Sequence, residues 1–133
     1  MGIGMILLDT HIWIWLVNGS VELTPRLRRV IDQASHSGLG VSVISCWEVA
    51  NLIRLGRLDI SIDPMEWIDK ALRYPGIQLL EFTPEIAVES TLLKDFHKDP
   101  ADRFLVATAN RHKIPILTVD KRIVEYPFVQ LAK

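Results

Sequence analysis

Four acidic residues stand where apolar segments of the chain end or where helices are expected to begin: Asp9, Glu48, Asp102 and Asp120. Carboxylates that lie close together raise one another's pKa, because each ionised group opposes ionisation of the next. A divalent cation removes that cost, and a set made only of oxygen ligands favours hard ions such as Mg²⁺ or Mn²⁺ over zinc. If the fold gathers these acids, they form a candidate site for such an ion.

Helix capping offers a structural explanation for part of this set. Asp99 precedes Pro100, whose fixed φ suits the first position of a helix, so Asp99 is the predicted N-cap and Asp102 falls in the first turn. Ser45 and Glu48 have the spacing of a capping box, in which each side chain bonds to the backbone N–H of the other. Capping alone therefore accounts for Glu48 and Asp102.

Capping does not explain Asp9 and Asp120, each of which follows a continuous apolar run typical of a strand buried on both faces. Such runs alternate with helical patterns, which predicts an α/β domain with a parallel sheet. The predicted strands are 4–8, 39–44, 77–82, 115–119 and, as a fifth, 128–131. The carboxyl ends of parallel strands share one edge of a sheet, so all four acids are expected to converge there. This convergence favours the metal-site interpretation.

The predicted helices lie between these strands and begin at recognisable caps. Thr10 is the predicted cap of a helix over 11–17, and a short helical turn is expected after Asp120. The other predicted helices are 25–35, 45–55, 64–74, 84–93 and 100–112. Four of them start with a proline, which suits the first helical position.

Length and composition bound the class of protein. A chain of 133 residues with 49% hydrophobic and 23% charged residues is expected to form one globular domain over 1–133. The single cysteine, Cys46, excludes an intramolecular disulfide and a cysteine-rich zinc site, and its apolar context predicts an inert core position. A net charge of −1 provides no bulk basic signature for nucleic acid. The apolar run 5–17 contains Asp9 and is too short to span a bilayer, so we expect a cytoplasmic protein without a membrane partner.

Four segments, in this order, resemble the successive motifs of PIN-domain ribonucleases. They are Leu7-Leu8-Asp9-Thr10-His11, Ser42-Val43-Ile44-Ser45-Cys46-Trp47-Glu48, His97-Lys98-Asp99-Pro100-Ala101-Asp102-Arg103 and Leu117-Thr118-Val119-Asp120. Within this family the chain most resembles the VapC toxins of bacterial toxin–antitoxin pairs, from Met5 nearly to the end. The resemblance implies a PIN-like three-layer α/β/α sandwich around a parallel sheet of four to five strands. It also places the usual family start at Met5, which makes residues 1–4 an extension or an alternative start.

The resemblance implies a metal-dependent endoribonuclease in which Asp9, Glu48, Asp102 and Asp120 are both the catalytic and the metal-binding residues. Bound Mg²⁺ or Mn²⁺ would lower the pKa of a water molecule, which then attacks an RNA phosphodiester. The metal would also neutralise charge on the scissile phosphate.

The resemblance further implies a homodimer, an RNA substrate and a VapB-like antitoxin that blocks the site. Contacts with such a partner are expected on the strongly apolar segments 12–17 and 47–55. The chain has four tryptophans: Trp13, Trp15, Trp47 and Trp67. Their spacing predicts that most of them lie in the core. Trp13 or Trp15 could instead belong to a partner surface.

Six further polar residues are candidates for contacting the substrate or supporting the metal ligands: Thr10, Ser45, His97, Asp99, Arg103 and Thr118. The two threonines are hydroxyl neighbours of the metal or phosphate, and Asp99 is mainly a cap. Arg103 either contacts phosphate through two hydrogen bonds or pairs with a nearby acid. His97 lies in a loop beside the site, where a substrate contact is one interpretation, whereas His11 is expected to be a hydrogen-bonded packing residue.

Three other functions match parts of this pattern. A phosphatase of the HAD-like class needs a second Asp two residues after the nucleophilic one, and position 11 is His. A plain α/β scaffold leaves Asp9 and Asp120 unexplained. A non-catalytic PIN-like module that binds RNA or a protein stays open as the alternative, since the presence of four acids does not prove turnover.

Overall fold

The computed structural model describes residues 4–133, and within this range strands alternate with helices. The strands are β1 (Ile6–Leu8), β2 (Leu39–Ser42), β3 (Ile77–Leu80) and β4 (Ile116–Leu117). The helices are α1 (Thr10–Asn18), α2 (Pro25–Ala34), α3 (Val43–Arg54), α4 (Pro64–Leu72), α5 (Pro84–Thr91), α6 (Pro100–His112) and α7 (Lys121–Val124). The alternation of strands and helices matches the prediction.

The strands form one parallel sheet in the order β3-β2-β1-β4. β1 is an inner strand, so its carboxyl end lies between the carboxyl ends of β2 and β4. The predicted fifth strand at 128–131 is reduced to a single bridge between Ile116 and Leu131, so the sheet has four strands within the described range. The predicted α/β fold with a parallel sheet is confirmed.

Helices cover both faces of this sheet because β1 is apolar on both. Ile6 and Leu8 pack on one face in a large core with residues of α1, α2, α3 and α4. Leu7, which points to the opposite face, packs with Leu105 and Ile123 from α6 and α7 in a second core. The predicted three-layer α/β/α arrangement is therefore confirmed.

Four helices begin as predicted, with a capping side chain followed by proline: Thr24-Pro25, Asp63-Pro64, Thr83-Pro84 and Asp99-Pro100. In each case the Thr or Asp side chain accepts a hydrogen bond from a backbone N–H of the first turn. The proline contributes no N–H, and that group would lack an intrahelical partner at this position.

Two other predicted caps are wrong. Asp9, not Thr10, caps α1, and Thr10 is the first residue of the helix. α3 begins at Val43 with Ser42 as its cap, so Ser45 lies inside the helix and cannot form a capping box with Glu48. α1 begins one residue earlier than predicted, and α3 begins two residues earlier.

No helix within residues 4–133 combines the length and apolarity needed to cross a membrane. Cys46 is partly buried against the larger core, and burial raises the pKa of its thiol. Of the extension predicted over 1–4, all but Gly4 lies outside the described residues.

Candidate active site

A pocket of about 100 Å³ at the carboxyl edge of the sheet brings together all four acids of the predicted set. It is lined by Asp9, Thr10, His11, Glu48, Asp99, Asp102, Leu105, Asp120 and Arg122. We call Asp9 and Glu48 the inner pair, because each bonds to a threonine hydroxyl, and Asp102 and Asp120 the outer pair, because both face Arg122. The convergence expected from the parallel topology is thus present in the structure.

Asp9 is held at the start of α1 by backbone amides and a hydroxyl. Its Oδ1 accepts hydrogen bonds from the N–H groups of His11, at 2.8 Å, and Ile12, at 3.3 Å. Its Oδ2 accepts a hydrogen bond from the hydroxyl of Thr118 at 2.5 Å. Burial raises the pKa of Asp9 even though these hydrogen bonds oppose the shift. A cation at this position would favour the charged carboxylate again.

Glu48 reaches the pocket from the second turn of α3. The Thr10 hydroxyl donates a hydrogen bond to Glu48 Oε1 at 2.5 Å, and the Thr10 oxygen lies 2.8 Å from the hydroxyl of Ser45. Burial raises the pKa of Glu48, and the charges of Asp9 and Asp99 add to that rise against the opposing hydrogen bond. Thr10 and Ser45 thus orient Glu48, which replaces the capping role predicted from spacing.

Asp102 lies in the first turn of α6, as predicted, with its carboxylate turned into the pocket. Its Oδ2 is 3.0 Å from Nε2 of His97 and 3.4 Å from Nη2 of Arg122. Burial, and then the charges of three neighbouring carboxylates, raise the pKa of Asp102 to about 7. The charge of this carboxyl group therefore changes near neutral pH.

Asp120 is joined to Asp102 by Arg122, a residue that the sequence analysis did not single out. Asp120 caps α7 by accepting the backbone N–H of Arg122 at 2.9 Å, and its Oδ2 is 3.3 Å from the guanidinium Nη2. Burial acts to raise the pKa of Asp120, but the hydrogen bonds and charge of Arg122 outweigh it, so the pKa is lowered. The sequence signal that could have identified Arg122 is a basic residue two positions after Asp120.

Asp99 and His97 complete the outer side of the pocket. Asp99 is the N-cap of α6, as predicted, and its Oδ1 accepts the N–H of Ala101 at 3.0 Å. Its own N–H donates to Nδ1 of His97 at 3.3 Å. Burial and then the charge of Arg122 lower the pKa of His97. A contact between His97 and substrate stays a prediction.

Arg103 is bound to backbone carbonyls rather than to an acid, and its contact with phosphate stays a prediction. Its guanidinium donates hydrogen bonds of 2.9 to 3.2 Å to four backbone carbonyls, those of Ser90, Leu93, Phe96 and His97. Because Nε, Nη1 and Nη2 are all engaged and Arg103 does not line the pocket, it anchors the loop before α6. The pairing with an acid is therefore wrong.

His11 also differs from expectation, because it is exposed rather than packed in the core. Its ring lies 6.2 Å from that of Trp15, and it forms part of the pocket wall. The next residue, Ile12, is fully buried, so the helix turns its apolar face inward and leaves His11 at the rim.

The tryptophans divide into buried and exposed groups. Trp13 and Trp67 are buried, with ring centroids 5.2 Å apart in an edge-to-face contact. Trp47 is 60% exposed, so its predicted core position is wrong. It lines a second cavity of about 390 Å³ beside the acids, together with Ile44, Asp99, Pro100, Ala101 and Phe104.

Burial explains why segment 12–17 is so apolar. Ile12, Trp13, Ile14 and Leu16 are all buried in the larger core. This leaves only Trp15 and Val17 partly accessible for the partner contacts that were expected on this segment. Segment 47–55, the other segment expected to contact a partner, has two well exposed apolar side chains, Trp47 and Leu55.

The chemistry of the pocket suits a divalent cation. Its donors are carboxylate oxygens, and three of the four acids, Asp9, Glu48 and Asp102, have raised pKa values because they are buried with insufficient positive charge. Across residues 4–133, however, no three Asp, Glu, His or Cys side chains already surround one point closely enough to hold a metal ion. The donor set fits the ion, and the carboxylates would have to draw together around it.

This chain resembles several proteins of known sequence or structure. It is 29% identical to Ribonuclease VapC22 of Mycobacterium tuberculosis over 119 residues, which are 89% of this chain and 88% of that protein. Its fold is similar to that of VapBC2 from Rickettsia felis bound to a DNA fragment from their promoter, with a TM-score of 0.71, 13% identity and 96% of each chain covered. A toxin–antitoxin complex from Klebsiella pneumoniae matches with a TM-score of 0.62 and 22% identity, over 96% of this chain and 98% of that one.

The family profile of the PIN domain matches residues 6–129. This range contains all four of the segments on which the resemblance was based, so that resemblance is confirmed. The chain belongs to the PIN domain family.

Proposed function

We propose that this chain is a divalent-metal-dependent endoribonuclease, the toxin of a VapC-type toxin–antitoxin pair. The observation that carries the proposal is the convergence of Asp9, Glu48, Asp102 and Asp120 in one pocket of a PIN domain. The 29% identity to a protein named as a ribonuclease supports the same activity for this chain.

Asp9, Glu48, Asp102 and Asp120 are the residues that would hold Mg²⁺ or Mn²⁺. When bound, such an ion lowers the pKa of a water molecule and neutralises charge on the scissile phosphate. Asp9 follows β1, Glu48 lies in the second turn of α3, Asp102 in the first turn of α6, and Asp120 caps α7 after β4, so the packed sheet and helices set their relative positions.

The surrounding residues hold these carboxylates in place. The hydroxyl of Thr118 fixes Asp9, and that of Thr10, supported by Ser45, fixes Glu48. Both hydroxyls use their proton to bind a carboxylate, which keeps that oxygen from turning away. Asp99 adds negative charge at the edge of the pocket and so strengthens its preference for a cation.

Asp102 is an acid whose charge would change on metal binding. In the metal-free pocket its pKa is about 7, so both its charged and neutral forms are present near neutral pH. A bound cation would favour the charged carboxylate, so loading of the pocket would release a proton there. Nε2 of His97 lies 3.0 Å from this carboxylate, and Nδ1 of the same ring accepts the N–H of Asp99.

We also propose a VapB-like antitoxin as the partner, a homodimer as the assembly and the cytoplasm as the place of action. The support is the similarity to structures described as VapBC2 and as a toxin–antitoxin complex. Trp47 is exposed in the second cavity, which shares Asp99 with the acidic pocket, so a partner segment bound there would lie beside the acids.

The test compares wild-type protein with Asp9→Asn on structured RNAs, including tRNA, in Mg²⁺, in Mn²⁺ and in EDTA. Asparagine is also a good helix cap, so the substitution removes the charge and keeps the start of α1. We expect cleavage that requires the metal and falls by more than about 100-fold in Asp9→Asn, since loss of a partner of a metal ligand alone costs about 10- to 100-fold.

Asp63→Asn is the matched control, because Asp63 caps α4 outside the pocket in the same manner. It should cleave like the wild type. Cleavage that persists in Asp9→Asn, with circular dichroism unchanged, would contradict the proposed site. Absence of cleavage by every variant on every RNA would favour the non-catalytic binding module.

A further inference from the structure

Arg122 occupies the space between the two carboxylates of the outer pair. Its Nη2 is 3.3 Å from Oδ2 of Asp120 and 3.4 Å from Oδ2 of Asp102. Its Nε is 3.4 Å from the other oxygen of Asp120, and its Nη1 is 3.4 Å from Nδ1 of His97. The guanidinium of Arg122 therefore contacts both carboxylates of the outer pair.

The charge balance of the pocket gives this contact its significance. Five carboxylates line the pocket, those of Asp9, Glu48, Asp99, Asp102 and Asp120. Among the residues that the structure places around them, Arg122 is the one lysine or arginine. Its guanidinium lies within 3.4 Å of both carboxylates of the outer pair and so reduces their mutual repulsion. The inner pair has only neutral hydroxyl and amide partners among its hydrogen bonds.

A divalent cation held by these acids would compete with Arg122 for the same two carboxylates. Oδ2 of Asp102 and Oδ2 of Asp120 both face Nη2 of Arg122, and a cation between them would be repelled by the guanidinium. The Arg122 side chain is 56% exposed, so it can leave toward solvent without disrupting the core. Arg103, by contrast, is tied to four carbonyls and has no such freedom.

We propose that Arg122 is an exchangeable counter-ion, which neutralises Asp102 and Asp120 in the metal-free protein and is displaced when a divalent cation binds. This inference rests on the proposed function, since it takes these two acids as metal ligands. It adds that metal loading is a competition between the ion and a side chain of the same chain. The position of Arg122 then reports whether the pocket is loaded.

The test measures metal binding without RNA. Full-length protein is freed of metal with EDTA and dialysed, and its melting temperature is followed as Mg²⁺ is added, because a ligand of the native state stabilises it. In Arg122→Ala the Mg²⁺ concentration that gives half of the stabilisation should be about three- to tenfold lower than in wild type, the range expected for two partly exposed ion pairs. Without metal, this variant should melt below wild type, because the outer pair loses its counter-charge.

Two control variants separate competition from a general change in charge. Arg111→Ala removes an arginine of α6 that pairs with Glu89 at 3.0 Å, away from the pocket, and should bind Mg²⁺ like wild type. Arg122→Lys keeps the positive charge but loses the planar guanidinium that contacts both carboxylates. The Mg²⁺ concentration that gives half of its stabilisation should lie between those of wild type and Arg122→Ala.

Displacement itself is visible in the ¹⁵N NMR signal of the Arg122 side-chain Nε–Hε group, assigned by its loss in Arg122→Ala. This signal should shift as Mg²⁺ saturates the wild-type protein, while that of Arg111 stays in place. Equal Mg²⁺ binding by wild type and Arg122→Ala, or an Arg122 signal that does not move at saturation, would overturn the inference and leave the proposed function standing. Absence of Mg²⁺ stabilisation in both proteins would overturn the inference and the metal dependence together.

Discussion

The two halves of the acidic pocket are held in different ways. The inner pair, Asp9 and Glu48, is bound by the hydroxyls of Thr118 and Thr10 at 2.5 Å, and its partners carry no charge. The outer pair is held by ion pairs, with Arg122 between its two carboxylates. The inner pair is therefore fixed in position by neutral donors, whereas the outer pair shares one positively charged side chain that can move.

This difference separates two requirements of a metal site. Carboxylates that must keep their positions are best bound by neutral donors, because these do not compete with the incoming ion. Carboxylates that would repel one another in the empty pocket need a temporary counter-charge. The structure meets the first requirement at the ends of β1 and β4 and the second at the start of α7.

Among the residues that support the acids, the largest effect is expected from removing a hydroxyl that holds the inner pair. Thr118→Val deletes the donor to Asp9 Oδ2 and the acceptor of the Asp120 N–H, which lies 3.0 Å from the hydroxyl. RNA cleavage in Mg²⁺ should fall about 10- to 100-fold, as is typical when a metal ligand loses its supporting hydrogen bond. The free energy of unfolding in urea should fall by about 1 to 3 kcal/mol because buried polar groups lose partners.

Thr108→Val provides the matched control for Thr118→Val. The Thr108 hydroxyl is buried too, but it donates to the Phe104 carbonyl within α6 at 2.7 Å, remote from the acids. Its loss should leave cleavage unchanged, and Thr118→Ser should restore most of the activity. Full activity in Thr118→Val would contradict the idea that neutral donors position the inner pair.

A smaller effect is expected from pH, through Asp102 of the outer pair. Binding of a cation requires the charged carboxylate, and the pKa of Asp102 is about 7 in the metal-free fold. The Mg²⁺ concentration needed for half-saturation should therefore rise about five- to tenfold from pH 7 to pH 6, and change little above pH 8. A titration by calorimetry at several pH values measures this directly.

The same shift has a defined sign for stability. Between pH 3.8, the ordinary pKa of an aspartate, and about 7, the folded metal-free protein retains a proton on Asp102 that the unfolded chain has lost. The contribution of Asp102 to stability thus falls as pH rises through this window. Asp102→Asn should be more stable than wild type at pH 8, and this advantage should shrink toward pH 5. An advantage that grows at low pH would contradict the raised pKa.

The positions of Asp9 and Asp120 could be predicted because apolar runs identify buried parallel strands, and the ends of such strands meet at one edge. Asp102 followed from the pairing of Asp99 with Pro100, a strong local signal. These features depend on neighbours in sequence or on topology alone. The sheet and the positions of its acids could therefore be predicted from the sequence.

The contacts that escaped prediction join distant parts of the chain. Thr10 bonds to Glu48 across 38 positions and Thr118 to Asp9 across 109, and no local pattern encodes either pairing. Arg122 lies on a helix of only four residues, whose weak periodicity offered no reason to point it at Asp102. The capping box predicted for Ser45 and Glu48 does not form, because α3 starts at Val43 and Ser45 lies inside the helix.

The smallest effect on catalysis is expected from Arg103, which lies near the outer pair yet belongs to the scaffold. Arg103→Met keeps the length of the side chain but removes the hydrogen bonds to four carbonyls. The free energy of unfolding in urea should fall by about 1.5 to 3 kcal/mol, the range for hydrogen bonds that involve a charged group. The KM for RNA should change less than about threefold, since these carbonyl contacts use the donors that phosphate would need. A tenfold rise in KM with unchanged stability would instead place Arg103 on the substrate and move it from the scaffold to the site.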